Sequence, residues 1–391
     1  MKAHHSHSMI RFVCLLVLVF SLAASLCVVS SPAQAVSTAP TSKPPSFVAR
    51  LRPLLLAKMQ QLRIPGAIIY VDDPGQGSWA TGLGIGNLAS RQPMQVDNSM
   101  RIGSITKTFT ATVILQLVDA GKLHLDDPIS KYQPKVPNGA HMTIRELLNM
   151  TSGLFNYTED EGFVQAELAD PYKVWKPEEL LAIAFKHPPY FAPGKGFHYS
   201  NTNYLLLGLT MEQLTHLSAE QAFQRYIFGP LGLHESSLPP LSSSAIPDPH
   251  AQGYSYGTNF TGTGPTLNVT DWNPSVAWTA GSMISTLHDL KIWAKALATG
   301  QLLSAATQKE RLTWAVCAPA WLGKALCYGL GVSDSGGFLG HSGQIAGFQS
   351  WMGYQPQNGA TIIVLVNLDT APNGSSPADD LAKVIQQELF A

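Results

Sequence analysis

Two different spacings of apolar residues occur along the chain, and together they predict its secondary structure. Apolar side chains from Ile105 to Leu117 recur at the spacing of one helix face. Short apolar runs bounded by Gly and Pro, such as the one after Pro65 and Gly66, predict strands instead. The pattern predicts helices over residues 47–62, 104–120, 202–217, 283–297 and 379–389, and strands over residues 67–71, 79–85, 328–332, 347–354 and 361–367.

The order of these elements predicts the fold. Strands lie toward both ends of the chain and helices occupy the middle, so both ends are expected to build one sheet. We predict an α+β fold in which an α/β region, about residues 47–125 and 276–391, carries a mostly α lobe, about residues 126–275, as an insertion. Residues 234–275 are rich in Pro, Ser, Gly and Thr, which predicts a long loop region.

The first 46 residues have the pattern of a targeting segment and a linker. Lys2 and Arg11 precede an apolar run over residues 12–29, and Ala33 and Ala35 fit a signal-peptidase site. We therefore expect a cleaved signal peptide over residues 1–35, a flexible linker over 36–46, and an exported, periplasmic or secreted domain over 47–391. An uncleaved membrane anchor is the alternative, because the run is long enough to span a bilayer.

Charge and cysteine content narrow the function classes. The 391 residues hold 25 Lys and Arg against 26 Asp and Glu, without a basic run, so nucleic acid is not an expected partner. Cys317 and Cys327 remain outside the signal segment, and an oxidising compartment favours a disulfide between them, with two unrelated thiols as the alternative. No His or third Cys lies at ligand spacing near them, so neither a metal nor a cofactor is expected.

Ser104 is the first candidate for catalysis, because it opens a predicted helix in the stretch Gly103-Ser104-Ile105-Thr106-Lys107. Residues three apart on a helix share a face, which places the Lys107 amine beside the Ser104 hydroxyl. The helix start favours developing negative charge, and an apolar setting lowers the pKa of a Lys so that it can act as a base. The alternative is a helix-capping Ser with a solvated Lys.

Two further motifs add candidates. Tyr199 and Asn201 alternate in an extended segment before the predicted helix at residue 202, so both could face one cleft. A phenol beside an ammonium would lose its proton more easily and could shuttle protons, and Asn201 could hold a substrate amide or orient the lysine. A Ser-Asn helix cap is the alternative.

The third motif is His341-Ser342-Gly343-Gln344, near the start of a predicted strand. Gly343 would let the backbone pass close to a ligand, and the Gln344 N–H could complete an oxyanion hole with that of Ser104. A purely structural histidine is the alternative.

These motifs, S-x-x-K at Ser104, Y-x-N at Tyr199 and H-x-G at His341, resemble in kind and order the penicillin-recognising serine hydrolase superfamily. That family includes D-alanyl-D-alanine carboxypeptidases, class C β-lactamases, and related esterases and D-amino-acid amidases. The resemblance covers roughly residues 47–391 and implies an antiparallel sheet flanked by helices, an all-α lobe and a cleft between them. It implies Ser104 as the nucleophile, Lys107 and Tyr199 as general base and acid, Asn201 as a positioning group and His341 in place of a cationic Lys.

The resemblance implies a serine hydrolase that works through an acyl-enzyme, with D-alanyl-D-alanine carboxypeptidase-type hydrolysis of cell-wall-like peptides as the first hypothesis. One departure favours the alternatives, an esterase or D-amino-acid amidase, then a β-lactamase. No Lys or Arg lies between Lys324 and Lys383, although a substrate carboxylate normally calls for a cation near the third motif. If His341 is the nearby cation, carboxylate recognition should weaken as the pH rises through about 6.5.

The expected partner is a small peptide or ester, with β-lactams as candidate ligands and no membrane contact beyond the signal. The oligomeric state is left open. A catalytically silent binding domain of the same fold is the hypothesis from another class, and the intact Ser104, Lys107 and Tyr199 speak against it.

Overall fold

A computed structural model of the protein describes residues 44–257 and 262–390, except for the side chains of residues 320 and 321. The expected signal peptide, residues 1–35, lies outside the described residues, as does most of the expected linker. Among the described helices, none combines the length and apolar character that a membrane crossing requires.

The α-helices follow the predicted spacing and are numbered in chain order. They are α1 Val48–Leu62, α2 Thr106–Asp119, α3 Ile144–Leu148, α4 Glu161–Ala169, α5 Pro177–Ala184, α6 Asn201–Thr215, α7 Ala219–Phe223, α8 Gly229–Leu231, α9 Trp278–Gly281, α10 Leu287–Thr299, α11 Ala305–Arg311 and α12 Pro377–Leu389. Short 3₁₀ turns cover Gly103–Ile105, Ile129–Lys131, Gly139–His141, Tyr157–Glu159 and Pro274–Val276, and a π-helical turn covers Gln224–Phe228.

Most strands join one antiparallel sheet built from both ends of the chain. The strands are β1 Gly66–Asp73, β2 Gly77–Asn87, β3 Gln92–Pro93, β4 Met100–Arg101, β5 Tyr254–Tyr256, β6 Thr266–Asn268, β7 Ile284–Ser285, β8 Val316–Trp321, β9 Lys324–Tyr328, β10 Ser333–Ser335, β11 Phe338–Ile345, β12 Phe348–Tyr354 and β13 Thr361–Val366. The nine-stranded sheet has the order β3-β2-β1-β13-β12-β11-β10-β9-β8, and β4 with β7 and β5 with β6 form two-stranded pairs. This confirms the predicted α+β fold.

The strands from the two ends of the chain meet inside the sheet, where β1 pairs with β13. Side chains of a strand alternate between the two faces. Ile68 packs into the core that contains Phe109 of α2, whereas Ile69 packs into the core that contains Leu51 of α1 and Leu381 of α12. Both faces are covered by helices, which is why β1 is a continuous apolar run in the sequence.

Residues 126–275 contain α3 to α8 and the short strands β5 and β6. The predicted long loop region, residues 234–275, therefore holds two short strands. The boundaries of an inserted lobe stay a prediction.

Two predicted elements are wrong in their bounds. Of the predicted strand over 328–332, only Tyr328 belongs to a strand, β9. Residues 329–332 connect β9 to β10, because Gly331 has a φ of +71° and its N–H donates to the Leu148 carbonyl. The predicted helix over 283–297 begins only at Leu287, because the Thr286 side chain accepts from the Asp289 N–H and caps it there. Residues Ile284–Ser285 instead pair with β4.

The structure joins Cys317 and Cys327 by a disulfide, as the sequence led us to expect. The two residues are direct cross-strand partners in β8 and β9, with a Cα–Cα distance of 4.1 Å. The disulfide therefore closes the outermost hairpin of the sheet.

We predict that replacing both cysteines by alanine lowers the free energy of unfolding. Because the residues are only 10 apart in sequence, loop entropy limits the loss to about 2–3 kcal/mol. Urea denaturation measures it, and the reduced wild type should show the same decrease. Equal denaturation midpoints for the oxidised wild type and the double variant would contradict the prediction.

Candidate active site

Ser104 lies in the 3₁₀ turn Gly103–Ile105 that leads into α2. The turn is fixed from two sides. The Thr106 hydroxyl donates to the Gly103 carbonyl at 2.7 Å, and the Ser350 hydroxyl of β12 donates to the Ile102 carbonyl at 2.7 Å. Ser104 itself remains partly exposed, so a rigid turn presents its hydroxyl to the cleft.

Strand β11 passes directly over this turn, because both contact points are glycines. A Cβ added to Gly103 would lie 2.4 Å from the Gln344 nitrogen, and the φ of Gly103 is +52°. A Cβ added to Gly343 would lie 2.0 Å from the Ile102 oxygen and 2.9 Å from the Ser104 nitrogen. The backbone amides of Ser104 and Gln344, which the sequence suggested as an oxyanion hole, are therefore brought to one place.

We predict that Gly343→Ala lowers kcat on the order of a hundredfold, the loss expected when one oxyanion donor is displaced. The added methyl group must push β11 away from the Ser104 turn. Steady-state kinetics measure the loss. Gly75→Ala is the control, since its Cβ would meet only the Asp73 side chain, at 3.3 Å. Wild-type kcat in Gly343→Ala would refute the assignment.

Lys107 is fully buried and points at Ser104. Its Nζ lies 2.9 Å from Ser104 Oγ, and burial lowers the pKa of Lys107 well below its usual 10.5. Nζ also lies 2.7 Å from Asn201 Oδ1 and 2.7 Å from the Ala280 carbonyl oxygen.

These contacts indicate what the N–H groups and the lone pair of a neutral Lys107 amine would each do. A neutral amine has two N–H groups and one lone pair. The Asn201 and Ala280 oxygens can only accept, so they take both N–H groups. In the neutral amine the lone pair then faces Ser104 Oγ, 2.9 Å away, which is the arrangement that a general base requires.

Tyr199 lies in the loop before α6, with its ring centroid 4.8 Å from Lys107 Nζ. Its hydroxyl is buried and makes no hydrogen bond of standard geometry with a described residue. Burial raises the pKa of Tyr199, and the neighbouring Ser104 lowers it by less. The expectation that the adjacent amine would ease loss of the phenolic proton is therefore wrong. Lys107 suits the role of base, and Tyr199 suits that of acid.

His341 reaches the cleft, but the expectation that it supplies a positive charge is wrong. It is 5% exposed, and burial, with Lys107 as the second cause, lowers its pKa to about 4. Nδ1 bonds to the Ser342 carbonyl, which can only accept, so Nδ1 carries the proton. Nε2, 3.1 Å from the Tyr328 hydroxyl, then accepts from it. Because the buried imidazole is already neutral at pH 6.5, we expect no change in its charge near that pH.

Ser104 borders two cavities. The first, of about 380 Å³, has a largely apolar lining that includes Tyr157, Phe163, Val164, Leu168 and Ile345, and we call it the apolar cavity. The second, of about 260 Å³, has a more polar lining, and we call it the polar cavity. Its lining includes residues of the second and third motifs, namely Tyr199, Asn201, His341, Ser342, Gly343 and Gln344. A neighbouring space of about 330 Å³ toward β8 and β9 shares Tyr199, His341 and Ser342.

Two carboxyl groups in these cavities escaped the sequence analysis. Glu167 lines the apolar cavity, and the Trp175 indole donates to its Oε2 at 2.8 Å. Asp379 lines the polar cavity. Burial is the first cause that raises the pKa of each to about 7. No motif surrounds Glu167, and Asp379 stood at the start of a predicted helix, where an acidic residue is ordinary.

Cations are scarce in the described walls of both cavities. Arg101 borders the apolar cavity, but it is 1% exposed and donates through Nη2 to the Ser244 carbonyl at 2.8 Å. Its Nε and Nη1 atoms are inaccessible. Neither Lys nor Arg occurs among the described residues that line the polar cavity.

Potential metal ligands come together elsewhere. Glu235, His288 and Asp289 place three ligand atoms within 4.8 Å of one another. The Asp289 carboxylate already accepts from the Glu235 N–H at 2.9 Å and from the Ser236 hydroxyl at 2.7 Å. These bonds give the cluster a structural role at the start of α10.

The fold and the cleft are those of the penicillin-recognising serine hydrolases. The family profile described as beta-lactamase matches residues 51–387, and the chain belongs to this family, whose members are hydrolases. The resemblance found in the three motifs is thereby confirmed.

The chain is similar to three known proteins in particular. The putative penicillin-binding protein PbpX of Bacillus subtilis is 28% identical over 74% of this chain. A D-stereospecific amidohydrolase from Streptomyces sp. is 35% identical with a TM-score of 0.77, covering 88% of this chain and 99% of its own. The D-amino acid amidase of Ochrobactrum anthropi SV3, in complex with D-phenylalanine, is 27% identical with a TM-score of 0.72, covering 87% and 98%. The chain spans 61% to 67% of the length of the curated relatives that it matches.

Proposed function

We propose that the protein is a serine amidohydrolase that cleaves amides of D-amino acids or short D-aminoacyl peptides through an acyl-enzyme on Ser104. The observation that carries this proposal is the fully buried Lys107 amine, which lies 2.9 Å from Ser104 Oγ and whose pKa burial lowers well below its usual 10.5. The substrate class is supported by the likeness to a D-stereospecific amidohydrolase over 88% of this chain.

The reaction follows from the positions of three side chains. Ser104 Oγ attacks the substrate carbonyl carbon and passes its proton to Lys107 Nζ. The amides of Ser104 and Gln344 stabilise the oxyanion. When the C–N bond breaks, the Tyr199 hydroxyl gives its proton to the leaving nitrogen and regains one from the Lys107 ammonium. Water then attacks the ester carbon and passes a proton through Tyr199 to Lys107. The bond from that carbon to Ser104 Oγ breaks, Oγ takes the proton back from Lys107, and the acid leaves.

The position of Tyr199, the proposed general acid, indicates which cavity holds the leaving group and which holds the acyl group. Tyr199 must reach the leaving nitrogen, and it lines the polar cavity rather than the apolar one. The leaving group therefore occupies the polar cavity, and the acyl group occupies the apolar cavity. The walls of the apolar cavity suit an aromatic or branched side chain.

Glu167 supports an acyl group that carries a free amine. Burial raises the pKa of Glu167 to about 7, so ionisation of this carboxyl costs more here than in water. A substrate ammonium beside the carboxylate would offset that cost. An amino-acid amide supplies an ammonium of this kind next to the scissile carbonyl.

D-alanyl-D-alanine carboxypeptidase activity, the first hypothesis from the sequence, has less support. Its leaving group carries a carboxylate, and the described lining of the polar cavity offers no Lys or Arg to hold it. Esters of the same amino acids present the same acyl group to Ser104, so we expect esterase activity alongside amide hydrolysis.

We also propose that the protein is exported and that a signal peptide over residues 1–35 is removed. The Cys317–Cys327 disulfide supports an oxidising compartment. N-terminal sequencing of the protein from the extracytoplasmic fraction tests this; a start at Val36 is expected, and retention of residues 1–35 would overturn it.

The test of function compares D-phenylalanine amide, L-phenylalanine amide and an acylated D-alanyl-D-alanine peptide. We expect ammonia release from the D-amide to be much the fastest reaction. Faster turnover of the D-alanyl-D-alanine peptide would favour the carboxypeptidase instead. Fluorescent penicillin and a fluorophosphonate, with intact-mass measurement, test the covalent intermediate, since relatives of this chain carry the name penicillin-binding protein.

A further inference from the structure

Asp379 places a carboxylate in the wall of the cleft, in the same cavity as Ser104 and Tyr199. It belongs to the first turn of α12, where Pro377 is the first helical residue. The neighbouring space toward β8 and β9 is also lined by Asp379. Among the described residues no hydrogen bond to its side chain occurs, so the carboxylate is available to whatever occupies the cavity.

The groups around Asp379 leave it as the main source of charge there. On its own helix, Lys383 forms an ion pair with Asp380 at 3.6 Å and also acts electrostatically on Asp379, but it does not line the described cavity. From the sheet, His341 and Tyr328 face the same space, and from the loop before α6, Tyr199 does. The pKa of His341 is lowered to about 4, and burial raises the pKa of both tyrosines, so all three are neutral near pH 7.

We propose that Asp379 selects the leaving group: its carboxylate excludes leaving groups that carry a carboxylate and admits neutral or cationic ones. The inference rests on the proposed function only in that the polar cavity must receive the leaving group. It does not depend on whether the acyl group is a D-amino acid.

The sign of the pH dependence follows from the ionisation of Asp379. The pKa of Asp379 is raised to about 7, mainly by burial. The positive charge of Lys383 lowers it by a smaller amount, and the negative charge of Asp380 raises it by a still smaller amount. Asp379 is neutral below about pH 7 and negative above it, so discrimination against a carboxylate grows as the pH rises through 7. Loss of a positive charge on His341, which the sequence suggested, would also weaken carboxylate recognition as the pH rises. Variants of Asp379 separate this cause from ionisation of Asp379.

A different role for Asp379 must be distinguished, because an acidic residue in the first turn of a helix stabilises the helix dipole. Asp380 occupies the same first turn and is the matched control. It pairs with Lys383 and does not line the described cavity. Asp379→Asn and Asp380→Asn therefore remove the same charge from the same turn, but only the first removes it from the cleft.

The experiment uses 4-nitrophenyl acetate and 4-carboxyphenyl acetate, activated esters that an acylating serine attacks whatever its natural acyl group. The nitro and carboxylate groups are close in shape, and both substrates share the pH dependence of Ser104 activation. The ratio of their kcat/KM values therefore reports the charge that faces the leaving group. In the wild type we expect the preference for the nitro ester to rise on the order of tenfold between pH 6 and 8.

The variants decide the assignment. In Asp379→Asn the ratio should stay flat at its low-pH value, whereas Asp380→Asn should behave as the wild type. A ratio that still rises in Asp379→Asn overturns the proposal. If Asp379→Asn is unstable, the wild type alone tests it: 4-(trimethylammonio)phenyl acetate should gain relative to the nitro ester over the same pH range, and a flat or falling ratio refutes it.

Failure of the proposed function gives a different result. A protein that hydrolyses the acetates with the expected ratio but releases no ammonia from D-phenylalanine amide retains the Asp379 assignment and loses the amidase one.

Discussion

Ser104→Ala abolishes both hydrolysis and covalent labelling, while the fold remains intact. We expect kcat to fall by more than about a thousandfold, because the proposed reaction carries its acyl intermediate on the Ser104 hydroxyl. The Ser104 side chain is partly exposed at the start of α2, so losing its hydroxyl opens no cavity in the core. Steady-state kinetics and intact-mass measurement after fluorophosphonate treatment check the two outcomes, and the melting temperature checks the fold.

Ser342→Ala is the matched control, because this second serine lines the same cavity from β11. It should keep the covalent adduct that Ser104→Ala loses. An adduct on Ser104→Ala that peptide mapping places on Ser342, or on any other residue, would refute Ser104 as the nucleophile.

The pairing of Ser104 with Lys107 could be predicted from the sequence because it is local. Three residues along a helix bring two side chains onto one face whatever the rest of the fold does, and the structure places them 2.9 Å apart. Tyr199 and His341 come from remote parts of the chain. The sequence could place them in the same cleft as Ser104 only because they stand in motifs that resemble those of the family. The sheet could be predicted for a similar reason, since β1 and β13 are long apolar runs.

Protonation states could not be predicted, because they depend on burial by distant elements. His341 sits among polar and small neighbours in the sequence, yet in the fold it is 5% exposed and its pKa is lowered to about 4. Tyr199 was expected to release its proton beside a cation, but burial raises the pKa of the phenol and lowers that of Lys107. Desolvation, rather than pairwise attraction, prevails at both sites.

The carboxyls of the cleft were missed because their local context has an ordinary explanation. Asp379 follows Pro377 at a helix start, where acidic residues are common. Tertiary packing of α12, against β12 and β13 as well as α1, brings that first turn to the cavity at Ser104. The strand predicted over 328–332 was wrong for a different reason. Its apolar residues are typical of a strand, but Gly331 adopts a positive φ that turns the chain.

Lys107→Ala and Lys107→Arg should each lower kcat/KM, the alanine variant by about a hundredfold to ten-thousandfold, the range of general-base catalysis. Arginine keeps a cation beside Ser104 but cannot give up its proton, so it should not restore activity. Small primary amines added to Lys107→Ala should recover part of the rate, more so at a pH where the added amine is unprotonated. Wild-type rates in Lys107→Arg would mean that charge, not proton transfer, is the contribution of this side chain.

The lowered pKa of Lys107 has a second consequence, which can be measured without any substrate. In the folded protein burial lowers this pKa well below 10.5, whereas in the unfolded chain the amine binds a proton at any pH below about 10.5. The unfolded state thus binds more protons between the two values, so the contribution of Lys107 to the free energy of unfolding rises with pH in that window. Above the lowered pKa of the folded protein and below about pH 10.5, the difference in unfolding free energy between wild type and Lys107→Ala should increase by up to about 1.4 kcal/mol per pH unit. Because the other titrating groups are common to both proteins, they cancel in the difference. A difference that does not change with pH would mean that Lys107 is protonated in the folded protein, and the base would then have to be sought at Tyr199.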